Sequence, residues 1–529
     1  MMRRAFVVPL LLSTTVFCQQ IWDIWQTTWD RSKLFTSLAP YPPINFQSPG
    51  NIGSADIVVN DTTTYQAVWG FGGSLTDSSA LILNNLKSTN SSNYWTLMKY
   101  LFDPTDGANA AGLNYIRVPL GASDFSASQY SFDDSSGDIF FTKFSIDAAP
   151  SYLFSVLKDI ISINSLVKVH ILPWSPPGWM KDSGTMNGGT LKPTMVTKYA
   201  TYLLKCLQGF RAKGIPLYAI SIQNEPQNNL NASPTATFTA AIEGRIGTAL
   251  RALMDNFGFQ SVRLIGWDHN WDGAGSYAID LMDAAGDAFD GVAFHCYAGN
   301  VTEQDTFHTQ YPDKEIYFTE CTGSLGSDWW SDIKWYTDNI FIGAIEHNSH
   351  SGLMWNIALD GNGEPRYPGT TSCSEGCRAI VQVNPGGTYS VNQEFYAMAQ
   401  ASKAIIPKDK GGPFGKRIQV NVGGNLSWAL RVGAYVTERT SSSDWLRYSL
   451  VVLNWYDHPN GTWSPQPVDT TIEFRGMQAR YTFPVGVTTL WWYGSPHSSL
   501  AQEPVEFYAQ TGQNEPEVFK MSPEIRDEL

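Results

Sequence analysis

Between Ala67 and Leu359, eight short apolar runs alternate with helix-length segments, and this alternation restricts the fold more than any other feature. The runs are "AVWGFGG", "LNYIRVPL", "VKVHILPW", "YAISIQ", "VRLIGW", "GVAFHCY", "IYFTEC" and "GLMWNIAL". They are continuously apolar rather than alternating, as expected of parallel strands covered on both faces. The segments between them read as helices. "TMVTKYATYLLKCLQGFRAKG" precedes the fourth run and "ATFTAAIEGRIGTALRALMDNFG" the fifth, each ending in a glycine suited to stop a helix. Eight strand–helix repeats predict an α/β fold, a (β/α)8 TIM barrel.

After about Ala399 the helical patterns give way to short strands with turn signals, among them "RIQVNVGGN", "RYSLVVLNWY" and "VTTLWWYG". These predict a side β-sandwich. The expected organisation is an N-terminal leader over 1–18 and an extended segment over 22–62 that contributes to the sandwich. The barrel follows over 63–399, then the rest of the sandwich over 400–495 and a polar tail over 496–529. The leader, "MMRRAFVVPLLLSTTVFCQQ", has two arginines, an apolar run and small residues, the layout of a secretory signal. No other stretch is long and apolar enough to span a bilayer. Six Asn-X-Ser/Thr sequons agree with secretion, at Asn60, Asn90, Asn231, Asn300, Asn425 and Asn460. The final "RDEL" resembles a retention signal of the endoplasmic reticulum, which competes with that destination.

Charge narrows the partner. With 35 Lys and Arg against 49 Asp and Glu, the net charge is −14. Nucleic acid demands a basic surface, so it is disfavoured, as are anionic membranes. A neutral partner fits, and 19 Trp with 24 Tyr suit the flat faces of sugars. Without Cys18, five cysteines remain: Cys206, Cys296, Cys321, Cys373 and Cys377. Cys373 and Cys377 are expected to close a short loop by a disulfide. The other three leave at least one free thiol, and Cys321 reads as buried filler. No metal or other cofactor is expected.

The tetrapeptide "QNEP" occurs twice, at Gln223–Pro226 and Gln513–Pro516. The first follows "YAISI", at the C-terminal end of the fourth strand, where barrel active sites are built. The second has no strand before it. Glu225 is therefore the candidate carboxylate, and Glu515 is coincidence. At the end of the seventh run stands Glu320, in "IYFTECTGS". Two carboxylates across a barrel mouth, about 5–5.5 Å apart, suit retaining glycoside hydrolysis, with one as proton donor and one as nucleophile. Sequence order alone does not say which is which. Around them the strand ends present Asp77, Arg117, Trp174, Asn224, Asp268, His269, His295, Tyr297 and Trp355. Arg117 is expected behind the site, keeping a neighbouring carboxylate ionised, and Tyr297 can donate to the nucleophile. Asp268, His269 and His295 are candidate substrate contacts.

Taken together, "WGFGGSLTDSSA", "NYIRVPLGASDF", "LPWSPPGWMK", "SIQNEP", "FHCYAG" and "FTECTGS" resemble glycoside hydrolase family 30, a retaining family of clan A. The resemblance implies Glu225 as acid/base and Glu320 as nucleophile. It further implies Asn224 at the sugar 2-hydroxyl, Tyr297 orienting Glu320, Trp355 as sugar platform, and Asp77 with Trp174 at other hydroxyls. The stretch "ALDGNGEPRYPGTTSCSEGCRAIVQV" is similar to the fungal subfamily that cleaves β-1,6-glucan. The expectation is a secreted, monomeric endo-β-1,6-glucanase. Glucosylceramidase, xylanase and a non-hydrolytic glucan-binding protein are the alternatives.

Overall fold

The computed structural model describes residues 19–496. The expected leader, Cys18, the second QNEP and RDEL lie outside those residues. All eight predicted strands form, as β1 Gly70–Ser74, β2 Tyr115–Pro119, β3 Lys168–Leu172 and β4 Leu217–Ser221, then β5 Arg263–Asn270, β6 Gly291–His295, β7 Glu315–Glu320 and β8 Ser351–Asn356. They make one parallel sheet in sequence order, with β8 returning to pair with β1. The seam between β7 and β8 is stitched by a bridge from Ile316 to Ser349 and by the Ser351 hydroxyl donating to the Phe318 carbonyl at 3.1 Å. This is the TIM barrel expected from the alternation.

Helices wrap the sheet where the periodicity placed them. Val196–Ala212 buries Tyr199, Leu203 and Phe210 against it, and Ala240–Asn256 buries Ile246 and Leu250. Both stop at the predicted glycines. Gly214 and Gly258 have φ of 78° and 77°, a left-handed conformation that costs glycine nothing. Gly72 serves a different need: a Cβ there would lie 1.9 Å from the Tyr115 carbonyl, so β1 reaches β2 only because that side chain is missing.

The side domain draws strands from both ends of the chain. Gln20–Thr28 pairs antiparallel with Gly486–Gly494, and Ala55–Ala67 lies between Lys416–Gly423 and Val468–Phe474. Its core includes Ile24, Ile57, Leu450 and Trp492. The boundaries drawn at 63 and 399 both cut elements. Position 63 lies within the strand Ala55–Ala67, and position 399 within the helix Gln393–Ile405. That helix is buried because it joins the two domains. Gln400 donates to the Thr27 hydroxyl at 3.0 Å and accepts from Thr489 at 2.6 Å.

Asn231, Asn300, Asn425 and Asn460 are exposed. Asn60 and Asn90 have structural duties, Asn60 donating to Gln419 at 2.8 Å and Asn90 capping the helix Ser91–Phe102. Among the described residues no helix is long and apolar enough to cross a membrane.

Candidate active site

Side chains of alternate residues point into a barrel, so residues two apart on a strand form successive layers. The lower layer holds Tyr115, Ala219, Ile265, Ala293, Tyr317 and Leu353. Two residues further along, β2 gives Arg117, β4 gives Ser221, β6 gives His295, β7 gives Thr319 and β8 gives Trp355. Strand β5 breaks the alternation. Its pairing with β6 slips between Val292 and Phe294, and Trp267 and Asp268 have φ of 64° and 46°. This bulge sends Trp267 outward to pack on Tyr277 and turns Asp268 inward.

Asp268 becomes the hub of the upper layer. It accepts from Arg117 at 3.1 Å, Ser221 at 2.5 Å and Thr319 at 2.8 Å, and it faces His295 Nε2 at 2.9 Å. Burial alone would raise its pKa, but Arg117 and His295 hold the carboxyl far below the ordinary range. A buried anion is tolerable here because these four side chains present donors to it.

Arg117 joins that hub to the pocket. Its guanidinium bonds Glu320 Oε2, donates to Asn224 Oδ1 at 2.6 Å, and lies 4.8 Å from the Trp174 ring. Tyr297 donates to the other Glu320 oxygen at 3.0 Å. Burial raises Glu320, Arg117 and His295 pull it back, and the net displacement is upward. Even so, Arg117 and Tyr297 give both oxygens of Glu320 donors that favour the anion.

Glu225 stands at the end of β4 with φ of 47°, its N–H bonded to the Asp268 carbonyl at 3.0 Å. Strain of this kind recurs at functional sites. One carboxylate oxygen, Oε1, faces His295 Nδ1 at 3.1 Å and His269 Nδ1 at 3.4 Å; the other accepts from Asn228 at 2.9 Å. Burial would raise Glu225, and the two imidazoles outweigh it, holding the carboxylate well below its ordinary pKa. His295 mirrors this. Burial would lower it, but Glu320, Asp268 and Glu225 raise it to about 9. At neutral pH this favours the protonated ring, which can donate to Asp268 from one nitrogen and to Glu225 from the other.

The pocket is about 410 Å³ and is lined by Asp124, Trp174, Asn224, Glu225, Tyr297, Glu320 and Trp355, among others. Trp174 and Trp355 stack at 5.0 Å, and behind them lie Phe125, Cys373 and Cys377. His269 and Asn270 also line the pocket, as do Thr371, Ser372 and Cys373 from the loop after β8.

Three expected substrate contacts stand behind this wall. Asp77 begins a helix, is buried, and accepts from Ser126 at 2.6 Å and Tyr130 at 3.0 Å outside the pocket lining. Asp268 and His295 are fully buried. The carboxyl that does reach the pocket is Asp124, which sequence reading missed although it lies inside the quoted motif "NYIRVPLGASDF". Its Oδ1 is buried without a hydrogen-bond partner, and burial with the Glu320 charge pushes it up to about 8. Asn228, three residues past Glu225, was also missed. The cysteines correct another expectation. Cys321 is not mere filler, since it pairs with Cys296 and ties the end of β6 to that of β7 beside Glu320. Cys373 pairs with Cys377, and Cys206 is free and buried.

Comparison with known proteins agrees with this geometry. The profile of the glycosyl hydrolase family 30 TIM-barrel domain matches residues 68–405. An endo-1,6-beta-D-glucanase of Neurospora crassa is 31% identical over 405 residues, covering 73% of this chain and 78% of the relative. The endo-1,6-beta-D-glucanase neg1 of Aspergillus fumigatus is 30% identical over 388 residues, 68% of this chain and 75% of the relative. Among solved structures, the endo-beta1,6-glucanase BT3312 superposes with a TM-score of 0.75 at 25% identity, covering 89% of this chain and 99% of that one. The chain belongs to glycosyl hydrolase family 30.

Proposed function

We propose that this protein is a secreted, monomeric endo-β-1,6-glucanase that retains anomeric configuration by double displacement. The observation that carries the reading is the asymmetric pair Glu225 and Glu320. Both face one aromatic-walled pocket, but their partners differ. Glu320, gripped by Arg117 and Tyr297, attacks the anomeric carbon as an anion and forms a glycosyl-enzyme. Glu225, next to the protonated His295, gives its proton to the departing glycosidic oxygen. In the second half Glu225 removes a proton from water, which attacks the anomeric carbon and releases Glu320. A sugar in the pocket separates Glu225 from solvent, and the His295 hydrogen bond is the route by which the carboxylate acquires its proton.

Asn224 binds the 2-hydroxyl, its orientation set by Arg117. Trp174 and Trp355 supply the stacking face, and Asp124 a carboxyl for further hydroxyls. The β-1,6 linkage and endo mode draw on the names of the fungal and solved relatives. Secretion draws on the leader pattern and on two paired disulfides, which form in oxidising compartments. Product analysis on linear β-1,6-glucan tests the reading, with xylan, β-1,3-glucan and glucosylceramide in parallel. Early release of mixed gentio-oligosaccharides from the first substrate alone is expected. Turnover of another substrate alone overturns the linkage, and silence on all four overturns hydrolysis.

A further inference from the structure

We propose that Glu225, His269 and His295 also form a binding site for a divalent zinc-like cation, whose occupation blocks the acid/base carboxylate. One donor atom from each of the three residues lies within 4.8 Å of the others. With metal bonds of about 2.0–2.1 Å, a tetrahedral site spaces its donors about 3.3–3.4 Å apart. Glu225 Oε1 already lies 3.1 Å from His295 Nδ1 and 3.4 Å from His269 Nδ1. The two imidazole nitrogens lie within 4.8 Å of each other.

His269 turns Nδ1 toward Glu225 Oε1 at 3.4 Å without a well-formed hydrogen bond, and its ring rests against Trp267 at 4.9 Å. The other two donors are fixed from behind. His295 Nε2 bonds the Asp268 carboxylate at 2.9 Å, the carboxylate–histidine pairing that orients imidazole ligands in zinc proteins. Asn228 holds the second oxygen of Glu225 at 2.9 Å. The fourth position opens into the pocket, where water or a sugar hydroxyl completes the sphere.

Donor chemistry names the ion. Two imidazoles and one carboxylate suit zinc, whereas calcium and magnesium need sets dominated by oxygen. Loading places the cation on Glu225 Oε1, an oxygen of the carboxylate that serves as acid/base. The consequence for turnover rests on the acid/base role proposed for Glu225; the binding does not.

Zinc chloride titrated calorimetrically into the full-length protein, with Co2+ absorption as a second probe, tests the site. One equivalent is expected to bind. His269→Ala and Glu225→Gln should each weaken binding about tenfold or more. His458→Ala, on the distant sandwich and half-exposed, should leave the titration unchanged. No binding, or binding equally tight in both site variants, overturns the proposal, the second result placing the ion elsewhere. Glucan hydrolysis should fall as the site fills and return with chelator. Zinc binding without any hydrolysis would sink the proposed function and leave the site standing. Hydrolysis unaffected by one bound equivalent would overturn the blockade.

Discussion

Two layers of the same barrel, about two residues apart along each strand, obey opposite rules. In the lower layer Tyr115, Ala219, Ile265, Ala293, Tyr317 and Leu353 fill the interior with apolar and aromatic surface. In the upper layer Arg117, Asp268 and His295 are as fully buried, yet carry charge. The lower layer stabilises by removing apolar area from water, at about 25 cal/mol per Å². The upper layer carries a desolvation cost, offset only where each charge meets opposite charge and donors. One layer closes the barrel; the other holds the two pocket carboxylates, Glu225 and Glu320, in fixed and different surroundings. Loss of packing should therefore harm stability first, and loss of a charge in the upper layer should harm turnover first.

Glu320→Gln is the sharpest way to break the comparison. It should lower kcat by about four orders of magnitude or more, because no other group at that position can form the glycosyl-enzyme. Circular dichroism should show the fold intact. Retention of most activity would remove the nucleophile from the upper layer. Glu225→Ala should keep activity only on substrates with good leaving groups, and added azide should restore part of it.

Arg117→Met joins the two rules in one residue. It strips Asp268 and Glu320 of their shared cation and should destabilise by about 3–5 kcal/mol, as for a broken buried pair. Urea unfolding would measure this, and turnover should fall as well. Leu353→Ala, in the lower layer, should cost about 2–5 kcal/mol while kcat at a temperature well below unfolding stays within a few-fold. If Leu353→Ala cost turnover more than stability, the layers would not be separable.

The smallest effect is read from pH. Asp124 is raised to about 8 and His295 to about 9. Above about 8, Asp124 ionises beside Glu320 and adds negative charge to the pocket, so kcat/KM should fall. Asp124→Asn should move that alkaline limb from near 8 toward 9. Stability should follow the same sign. The His295 contribution is complete below its ordinary 6.5 and is lost as pH rises through about 9. For Asp124 the folded state resists ionisation, so stability also declines from the ordinary 3.8 up to about 8. The thermal midpoint should therefore drop between pH 7 and 9; a flat profile would detach both groups from the fold.

Much of this was legible in the chain. Glu225 and Glu320 could be placed at the barrel mouth because each follows a continuously apolar run, at the strand ends that open on the pocket. Arg117, Tyr297, Trp174 and Trp355 were legible for the same reason. Asp268 reads as a substrate contact because it stands at a strand end beside His269. The bulge at φ of 64° and 46° turns it into the barrel, where it is fully buried, and nothing in "LIGWDHNW" announces that. Asp77 was misread because a strand-end acid and a helix-start acid look alike in a string of letters. Only Ser126 and Tyr130, from a distant loop, decide which it is. The partner of Cys321 was equally hidden, since Cys296 lies 25 residues away.

The sequence by itself determined the barrel, its strand order and the place of two carboxylates at its mouth, because hydrophobic periodicity and strand ends are local properties of a chain. Tertiary structure alone decided which polar residues touch the pocket and which stand behind it. It also decided which nitrogen faces which oxygen, and hence where the protons rest. Those outcomes depend on distances between strands far apart in sequence, and on burial that turns a contact of about 3 Å into a shift of protonation.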